Sequence, residues 1–359
     1  MSERWVLRAL TVRRFRHLVE PAELVFGDAP VVLVGLNGSG KSNLLALIDA
    51  IVRFDYRELD DGFPFDFTAT LDNSTDTLTL SFRWSGSGEV GVEMGGNSYL
   101  FRRFHFFGAE GGQAVLAQTI AHIRSPPFGR VQSAPHLDEA LERFWELVNP
   151  SDVALVVPDG AWRVPAGLVE RVVDTQPERR RDPIQGLPWL EVARRACGFD
   201  TLEIELSGPT EREGPDGHIQ RAYTPFTFYA RQGRARFHHQ SFSFGQKRIL
   251  AACWTIACVR PGAVVADELV NGLHHDAVAA VLDLMGPGQA FLASQNPLLF
   301  DHLELASAED ARTRIVRCER RPGGWSWSQP DPAVSERLFA SYQAGFQHVS
   351  ELLRAEGLW

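Results

Sequence analysis

The sequence is poor in cysteine and methionine and contains no long apolar run. Its 359 residues include 4 Cys and 3 Met, and no two cysteines form a Cys-x-x-Cys pair. Scattered cysteines argue against a disulfide framework or a zinc site, and they predict buried thiols in a reducing compartment. No apolar stretch reaches the roughly 18 residues that span a membrane. The N-terminus has no apolar signal core, so we expect a cytoplasmic protein with no membrane contact.

An excess of basic residues and a heptad repeat are also absent. The net charge of -9 argues against a generally basic nucleic-acid-binding surface, although it leaves a local basic groove open. Arg231, Arg234 and Arg236 alternate with aromatics on a predicted hairpin, where a solvated strand face is favoured over contact with a phosphate backbone. Without heptads the chain forms no long coiled coil.

Residues 35–42 carry the strongest positive signal, Gly-Leu-Asn-Gly-Ser-Gly-Lys-Ser. They follow the apolar run 31–34 and precede a helical pattern from Lys41 to about Phe54. Glycines let successive backbone N–H groups turn toward phosphates, Lys41 reaches the β- and γ-phosphates, and the Ser42 hydroxyl binds magnesium. This strand, loop and helix predict a nucleoside triphosphate site.

The second half of the chain contains a carboxylate pair and a glycine-containing helix start. Asp267 and Glu268 end an apolar strand, where the first acid can hold the magnesium hydration shell and the second can polarise a water. Ser243 precedes Gly245 and a long helix, which predicts either an ordinary helix cap or an anion site for a γ-phosphate.

Short apolar strands that alternate with helices predict an α/β fold with a parallel sheet flanked by helices. We expect a single domain over residues 1–359, to which an antiparallel β subdomain and a helical insertion are added. Its predicted segments are core halves at 1–54 and 241–305, the β subdomain at 65–130, the helical insertion at 135–200, a β segment at 201–240, and a C-terminal hairpin and helix at 311–359.

The C-terminal segment has apolar residues spaced by three and four. This spacing predicts one helix from Ser335 to Arg354 with an apolar face. We favour packing of this face on the protein's own core over a partner-binding tail that ends at Trp359.

Taken in order, the phosphate loop, Ser243-Phe-Gly-Gln, Asp267-Glu268 and Asn271-Gly-Leu-His resemble the head of an ABC-type ATPase, a P-loop NTPase. The chain is most similar to the RecF/SMC-like branch of small bacterial ATPases, which includes members in anti-phage defence and retron systems. Asn43 after the phosphate loop and Arg14-Phe-Arg16 on the N-terminal strands favour this branch.

The resemblance implies an ATP- and Mg²⁺-dependent homodimer whose heads pair head to tail, so that the signature loop of one subunit closes on ATP in the other. The roles it implies are catalysis by Glu268, Lys41 and Gln295; nucleotide contact by Arg16, Gly35, Asn37, Gly38, Ser39, Gly40, Lys41, Ser42 and Asn43; magnesium binding by Ser42 and Asp267; contact with the partner's γ-phosphate by Ser243, Gly245 and Gln246; and an interface loop of Asn271, Gly272, Leu273 and His274.

Two departures from the family pattern bear on turnover. Phe244 stands where the signature usually has Gly, and Gln295 stands at the position of the switch histidine. An amide hydrogen-bonds but does not take up a proton, so we expect slow hydrolysis. The family's magnesium-sensing glutamine is either Gln113 or Gln118, a choice that the sequence leaves open.

Three biological roles follow from the resemblance. The first is a regulatory ATPase that restrains a separately encoded effector, a nuclease or toxin, in a defence-type system. The second is a DNA-repair or DNA-maintenance ATPase that clamps DNA. The third, the ATP-binding subunit of a membrane transporter, is disfavoured by Asn43, Arg16 and Gln295.

Overall fold

The structure is a computed structural model. It describes residues 5–73, 75–108, 115, 155–157, 165, 168, 183–206, 209–213, 219–223, 226–258, 263–268, 270, 273–286, 288–345 and 348–358. The candidate glutamines Gln113 and Gln118, most of the predicted helical insertion and Trp359 lie outside these residues.

The described residues form strands throughout the chain and helices mainly in its second half. The strands are β1 (Val6–Phe15), β2 (Ala22–Val25), β3 (Val31–Val34), β4 (Phe65–Asp72), β5 (Thr77–Trp84), β6 (Glu89–Met94), β7 (Asn97–Arg102), β8 (Leu155–Val157), β9 (Thr201–Leu206), β10 (Pro209–Glu213), β11 (Ile219–Tyr223), β12 (Phe226–Gln232), β13 (Ala235–His238), β14 (Val264–Asp267), β15 (Ala290–Ala293), β16 (Ile315–Arg321) and β17 (Gly324–Ser328). The helices are α1 (Lys41–Arg53), α2 (Arg103–Phe106), α3 (Pro188–Ala196), α4 (Phe244–Cys258), α5 (His275–Met285), α6 (Pro297–Asp301), α7 (Ala308–Arg314), α8 (Pro332–Gln343) and α9 (Val349–Ala355).

The chain divides into two compact units. The first unit comprises Met1–Pro135, Arg260–Leu269 and Pro287–Trp359, and the second comprises His136–Val259 and Val270–Gly286. The predicted boundaries of the core halves, the subdomain and the insertion stay predictions. Among the described residues, no helix has the length and apolar character that crossing a membrane requires.

The antiparallel sheet of the first unit has six strands in the order β2-β1-β4-β5-β6-β7. Burial alternates along β4 and β5, because successive side chains of a strand point to opposite faces. The buried face carries a group of aromatic rings in which Phe67 and Phe82 stack 4.9 Å apart and Tyr56 and Phe106 stack 4.7 Å apart. The predicted antiparallel meander is confirmed in β4 to β7.

The mixed sheet of the first unit has the order β14-β15-β3-β16-β17. Its first four strands are parallel, and β17 returns antiparallel to β16. All four residues of β3 and of β15 are buried, as expected for parallel strands covered on both faces. The parallel sheet predicted from the sequence is therefore confirmed, but β16 comes from the predicted C-terminal hairpin, outside the predicted core halves.

The buried side-chain amide of Gln289 connects the N-terminal strands to the part of the first unit that begins at Pro287. Gln289 is 2% exposed and its side chain accepts from the Leu7 N–H at 2.9 Å and donates to the carbonyls of Leu7 and Gly27. Because buried polar groups are costly when unpaired, these three hydrogen bonds fix β1 beside the start of β15.

The second unit combines helices with two small sheets. Strands β9, β12 and β13 form one antiparallel sheet, and β8, β10 and β11 form the other. Trp189 of α3 contacts Trp254 of α4 at 5.3 Å and Phe228 of β12 at 6.4 Å between ring centroids, which gives this unit its own aromatic core. Helix α3 lies within the segment predicted as a helical insertion.

The predicted single C-terminal helix is wrong, because two helices occupy the segment. Helix α8 ends at Gln343, and Gly345 follows with φ +70°, a left-handed conformation that ends helices and favours glycine. Leu338, Val349 and Leu353 are buried, so the apolar residues of both helices do pack on the protein's own core.

Candidate functional site

The phosphate loop connects β3 to α1 and depends on glycine for its shape. Gly38 and Gly40 have φ of +73° and +87°, values that residues with a Cβ rarely adopt. Gly40 is the left-handed N-cap of α1, and its carbonyl accepts from the Leu44 N–H at 3.0 Å. No acidic residue occupies the first turn, so the positive end of the helix and the loop N–H groups suit an anion.

Lys41 and Ser42 begin α1 and lie close to the loop and to the carboxylate pair. The Lys41 ammonium, 6% exposed, donates to the carbonyls of Gly35 at 2.8 Å and Leu36 at 3.0 Å. The Ser42 hydroxyl donates to Oδ2 of Asp267, which is itself buried. Residues 225 positions apart thus meet at one edge of the mixed sheet.

Glu268 and Gln295 form the second pair at this edge. They follow β14 and β15, two neighbouring parallel strands whose carboxyl ends lie side by side. Gln295 Nε2 donates to Oε1 of Glu268 at 3.0 Å, and the Glu268 N–H donates to the Ala293 carbonyl at 2.8 Å. Glu268 has φ +54°, a backbone strain that is often found at functional positions.

Arg16 lies at the end of β1 and reaches the first turn of α1. Its guanidinium donates to Oδ1 of Asn43 and to Oδ2 of Asp61, and to the Glu58 carbonyl at 3.2 Å. Arg16 also has a positive φ of +48°. The structure therefore brings the two residues that favoured the RecF/SMC-like branch, Arg16 and Asn43, into direct contact.

The donor set at this edge fits a hydrated magnesium ion. Ser42 and Asp267 offer one hydroxyl and one carboxylate in mutual contact, both of them oxygen ligands of the kind that Mg²⁺ prefers. Within the described ranges, no group of three His, Cys, Asp or Glu side chains could hold a metal ion. A site of this composition depends on waters and substrate phosphates for its remaining ligands.

The signature segment lies in the second unit and forms a reciprocal helix cap. The Ser243 hydroxyl accepts from the Gln246 N–H at 3.3 Å, and the Gln246 side chain accepts from the Ser243 N–H at 2.9 Å. This is a capping box, the ordinary role weighed from the sequence, and it fixes both side chains at the start of α4. Phe244 between them is 70% exposed.

The predicted interface loop is described only in part. Asn271 and Gly272 lie outside the described residues. Leu273 is buried, and His274 is exposed and caps α5, where its Nδ1 accepts from the Ala277 N–H at 3.4 Å. These contacts account for helix capping and burial within the second unit.

Two other groups of candidate residues are the cysteines, of which Cys253 and Cys318 are buried and Cys197 and Cys258 are half-buried, and the arginine-rich hairpin. All four cysteines are free thiols, and burial raises the pKa of Cys197 and of Cys318 to about 12. Arg236 of the arginine-rich hairpin pairs with Glu203 at 3.2 Å and with Glu205, and its guanidinium lies 3.8 Å from the Tyr229 ring centroid. Its charge is thus neutralised within the strand face, as in the favoured interpretation.

The residues that support the phosphate loop are not predicted by any motif in the sequence. Gly40 lies against the indole of Trp325, Gly35 lies against the carbonyl of Cys318, and Asp61 binds Arg16. These partners come from distant segments, and no local pattern marks them. The proximity of Asp61 to Arg16 could have been suspected only from the acidic loop that follows α1.

Comparison with known proteins adds a family and a fold. Residues 122–301 match the family described as "AAA domain, putative AbiEii toxin, Type IV TA system", a range that begins after the phosphate loop. Among curated proteins, no sequence matches the chain.

Several solved SMC heads share the fold at low sequence identity. An SMC head bound to the C-winged helix domain of ScpA is 12% identical, with a TM-score of 0.53 over 90% of this chain and 98% of that one. An SMC head with an extended coiled coil, bound to the C-terminal domain of ScpA and derived from Pyrococcus furiosus, is 12% identical, with a TM-score of 0.51 over 94% and 100%. One from Pyrococcus yayanosii is 9% identical, with a TM-score of 0.51 over 94% and 100%.

Proposed function

The chain belongs to the AAA-domain family matched over residues 122–301, and from that premise we propose that it hydrolyses ATP and works as a nucleotide-driven dimerisation switch. The observation that carries the proposal is the meeting of Lys41, Ser42, Asp267, Glu268 and Gln295 at the carboxyl edge of the parallel strands. These are the groups that phosphoryl transfer to water requires.

In the proposed reaction, Lys41 exchanges its loop carbonyls for the β- and γ-phosphates of ATP. Glu268 accepts a proton from a water whose oxygen forms a bond to the γ-phosphorus, while the bond between that phosphorus and the β–γ bridging oxygen breaks. The products are ADP and phosphate. Ser42 and Asp267 would hold Mg²⁺, which neutralises the charge on the phosphate oxygens. Gln295 orients the Glu268 carboxylate through its amide N–H.

The signature segment is proposed to act on the ATP of a second subunit. Ser243, Gly245 and Gln246 begin α4 as a rigid capping box, so the α4 N-terminus offers N–H groups and a positive dipole to a γ-phosphate. Leu273 and His274, together with Asn271 and Gly272, are proposed to cross the dimer interface. Two composite sites then form in a symmetric homodimer.

The switch is proposed to act on a protein effector in a defence-type system. The family description names a toxin of a type IV toxin–antitoxin system, and two of the SMC heads of like fold were solved with a domain of ScpA bound. Both are properties of those proteins; the first supports a setting in a toxin–antitoxin system, and the second supports a partner that is itself a protein. The net charge of -9 disfavours DNA as the main ligand.

Glu268→Gln tests the switch. The variant should bind ATP, release phosphate at least roughly 100-fold more slowly, and run as a persistent dimer in light scattering, because the general base is lost while the phosphate contacts remain. Normal turnover in Glu268→Gln would show that the assigned base is wrong. If both the wild-type protein and Glu268→Gln stay monomeric with ATP, the proposed dimerisation switch is wrong.

Mixing two inactive variants tests the composite site. Lys41→Ala disables the phosphate loop and Ser243→Arg disables the signature, while Ser243→Thr keeps the capping hydroxyl as a control. An equal mixture should regain about a quarter of wild-type turnover, because half of the dimers contain both variants and each of these has one intact site. A mixture that stays inactive contradicts the composite site but does not bear on the role of Glu268 as general base.

Duplex DNA provides the contrasting outcome. Binding of a fluorescent duplex that strengthens with ATP and weakens steeply with salt would favour the DNA clamp over the effector switch, since phosphate contacts release counterions. We expect no such binding.

A further inference from the structure

The phosphate loop lies against the β16–β17 hairpin, which comes more than 270 residues later in the sequence. β16 pairs in parallel with β3, so that Val316 is opposite Leu33 and Arg317 is opposite Val34. The next residue of the loop, Gly35, then lies against the carbonyl of Cys318, and a Cβ at Gly35 would overlap that oxygen. The hairpin backbone therefore defines where the loop begins.

The other end of the loop lies against an aromatic ring of the same hairpin. A Cβ on Gly40 would lie 2.6 Å from Cγ and 2.8 Å from Cδ1 of Trp325, well inside contact distance. Gly40 thus touches the face of the indole directly. Because Gly40 is the N-cap of α1 and its carbonyl starts the helix, the position of the ring sets the position of the helix N-terminus.

Trp325 is also joined to the turn that follows Arg16. Its N–H donates to the His17 carbonyl at 3.2 Å, its carbonyl accepts from the Val19 N–H at 3.0 Å, and its ring meets the His17 ring edge-on at 5.5 Å. Arg16, one residue earlier, binds Asn43 in the first turn of α1. The Trp325 ring therefore contacts both the phosphate loop, at Gly40, and the turn that follows Arg16.

We propose that Trp325 is a positioning residue that holds Gly40, and with it the N–H groups at the start of α1, in the geometry that binds the phosphates of ATP. The inference rests on the proposed ATP site and adds a residue outside the family-matched range 122–301. Preorganised N–H groups bind an anion without the cost of ordering the loop first, so loss of the ring weakens binding rather than the chemical step.

The test uses Trp327 as a matched control. Trp327 lies two residues further along β17, is 3% exposed, and packs on Phe15 at 6.1 Å between ring centroids instead of on the loop. Like Trp325, it has a buried indole N–H without a hydrogen-bond partner among the described residues. Phe and Leu substitutions remove the same side-chain atoms at these two positions of one strand.

ATP affinity is measured by titration calorimetry, and unfolding is followed without nucleotide. Trp325→Leu should weaken ATP binding about 10- to 100-fold with kcat changed far less, and Trp325→Phe should restore most of the affinity. Trp327→Leu should lower the unfolding midpoint and leave the affinity within about twofold. Trp325→Leu protein with wild-type affinity would overturn the inference, as would an equal loss in Trp327→Leu.

A fluorescence comparison covers the case in which Trp325→Leu fails to fold. The difference between wild-type and Trp325→Phe emission isolates Trp325, and ATP should shift this difference spectrum because the bound triphosphate places negative charge beside the loop that the ring contacts. A spectrum unchanged by saturating ATP contradicts the inference. Failure of wild-type and Trp327→Leu to bind ATP would instead remove the proposed function itself.

Discussion

The two sheets of the first unit share one hydrophobic core but differ in what lies at their ends. The antiparallel sheet alternates buried and half-exposed residues and devotes its inner face to aromatic packing. In the mixed sheet, strands β3 and β15 are buried throughout, and the carboxyl ends of the parallel strands lead into the phosphate loop, the Asp267-Glu268 pair and Gln295.

The difference follows from strand direction. In parallel strands all carboxyl ends meet at one edge, so polar residues from distant parts of the sequence converge there. In antiparallel strands the ends alternate between two edges, and the residues of successive turns separate. Chemistry is therefore expected at one edge of the mixed sheet, and stability is expected from the face of the antiparallel one.

Lys41→Ala should have the largest effect on ATP. Loss of the ammonium removes a cation that donates to the carbonyls of Gly35 and Leu36, and ATP affinity should fall about 100-fold or more. Titration calorimetry measures the change. Arg13→Ala, which removes an exposed cation paired with Asp66 on the antiparallel sheet, should leave affinity unchanged. Equal losses of ATP affinity in Lys41→Ala and Arg13→Ala would show that the two sheets do not differ in their contribution to ATP binding.

Glu268→Gln separates chemistry from binding within the mixed sheet. Single-turnover phosphate release should slow by about 10²- to 10⁴-fold, the range for loss of a general base, while ATP affinity persists. Asp66→Asn on the antiparallel sheet, where the carboxylate pairs with Arg13 and Arg83, is the matched carboxylate control and should hydrolyse at the wild-type rate.

Phe82→Ala should have a large effect on stability and none on affinity. Phe82 is fully buried and stacks on Phe67, so its removal should cost about 3–5 kcal/mol of unfolding free energy in urea denaturation. Leu100→Ala, at a side chain 72% exposed on β7, should stay within about 0.5 kcal/mol. A weaker ATP affinity in folded Phe82→Ala protein would give the antiparallel sheet a role in the site.

Gln295→Ala should reduce turnover modestly. The Gln295 amide donates to the Glu268 carboxylate at 3.0 Å, and a hydrogen bond to a charged group contributes enough for about a tenfold change in kcat. Gln295→His keeps an N–H donor and should recover turnover in a phosphate-release assay. Alanine with an unchanged kcat would show that the contact does not orient the base.

Asp49 of α1 should produce the smallest effect, a shallow pH dependence. Burial raises its pKa from 3.8 to about 6 against the opposing effect of Arg53, with Glu58 and Asp55 raising it further. The folded state then binds more protons than the unfolded state between these values, so stability falls as pH rises from about 4 to 6. Asp49→Asn should flatten that fall in urea denaturation.

Asp55→Asn is the control of opposite sign. Hydrogen bonds from Arg57 lower the pKa of Asp55, so its contribution to stability is present above its ordinary pKa and is lost as pH falls. Asp55→Asn should therefore reduce stability near neutral pH and leave the fall that depends on Asp49. If both variants flatten the same region, Asp49 is not its source.

Much of the architecture was predictable from local sequence. The chain belongs to an AAA-domain family and shares the fold of SMC heads, and the predicted α/β fold, the parallel strands and the antiparallel strands β4 to β7 are confirmed. These features follow from residue periodicity and from motifs whose glycines have local conformational reasons. The C-terminal helix was mispredicted because apolar spacing continued across Gly345, whose left-handed conformation ends α8.

The candidate site likewise combines residues that local sequence predicts with contacts that only the tertiary structure shows. Local sequence is enough to predict the candidate residues for phosphate binding and carboxylate chemistry, because Gly-x4-Gly-Lys-Ser and Asp-Glu offer those groups wherever the strands place them. Tertiary structure alone decided that Ser42 meets Asp267, that Gln295 meets Glu268, and that Trp325 lies beneath Gly40. Parallel pairing of β14, β15, β3 and β16, with β17 returning antiparallel to β16, produces all three contacts, because strand order brings together segments that no local pattern connects.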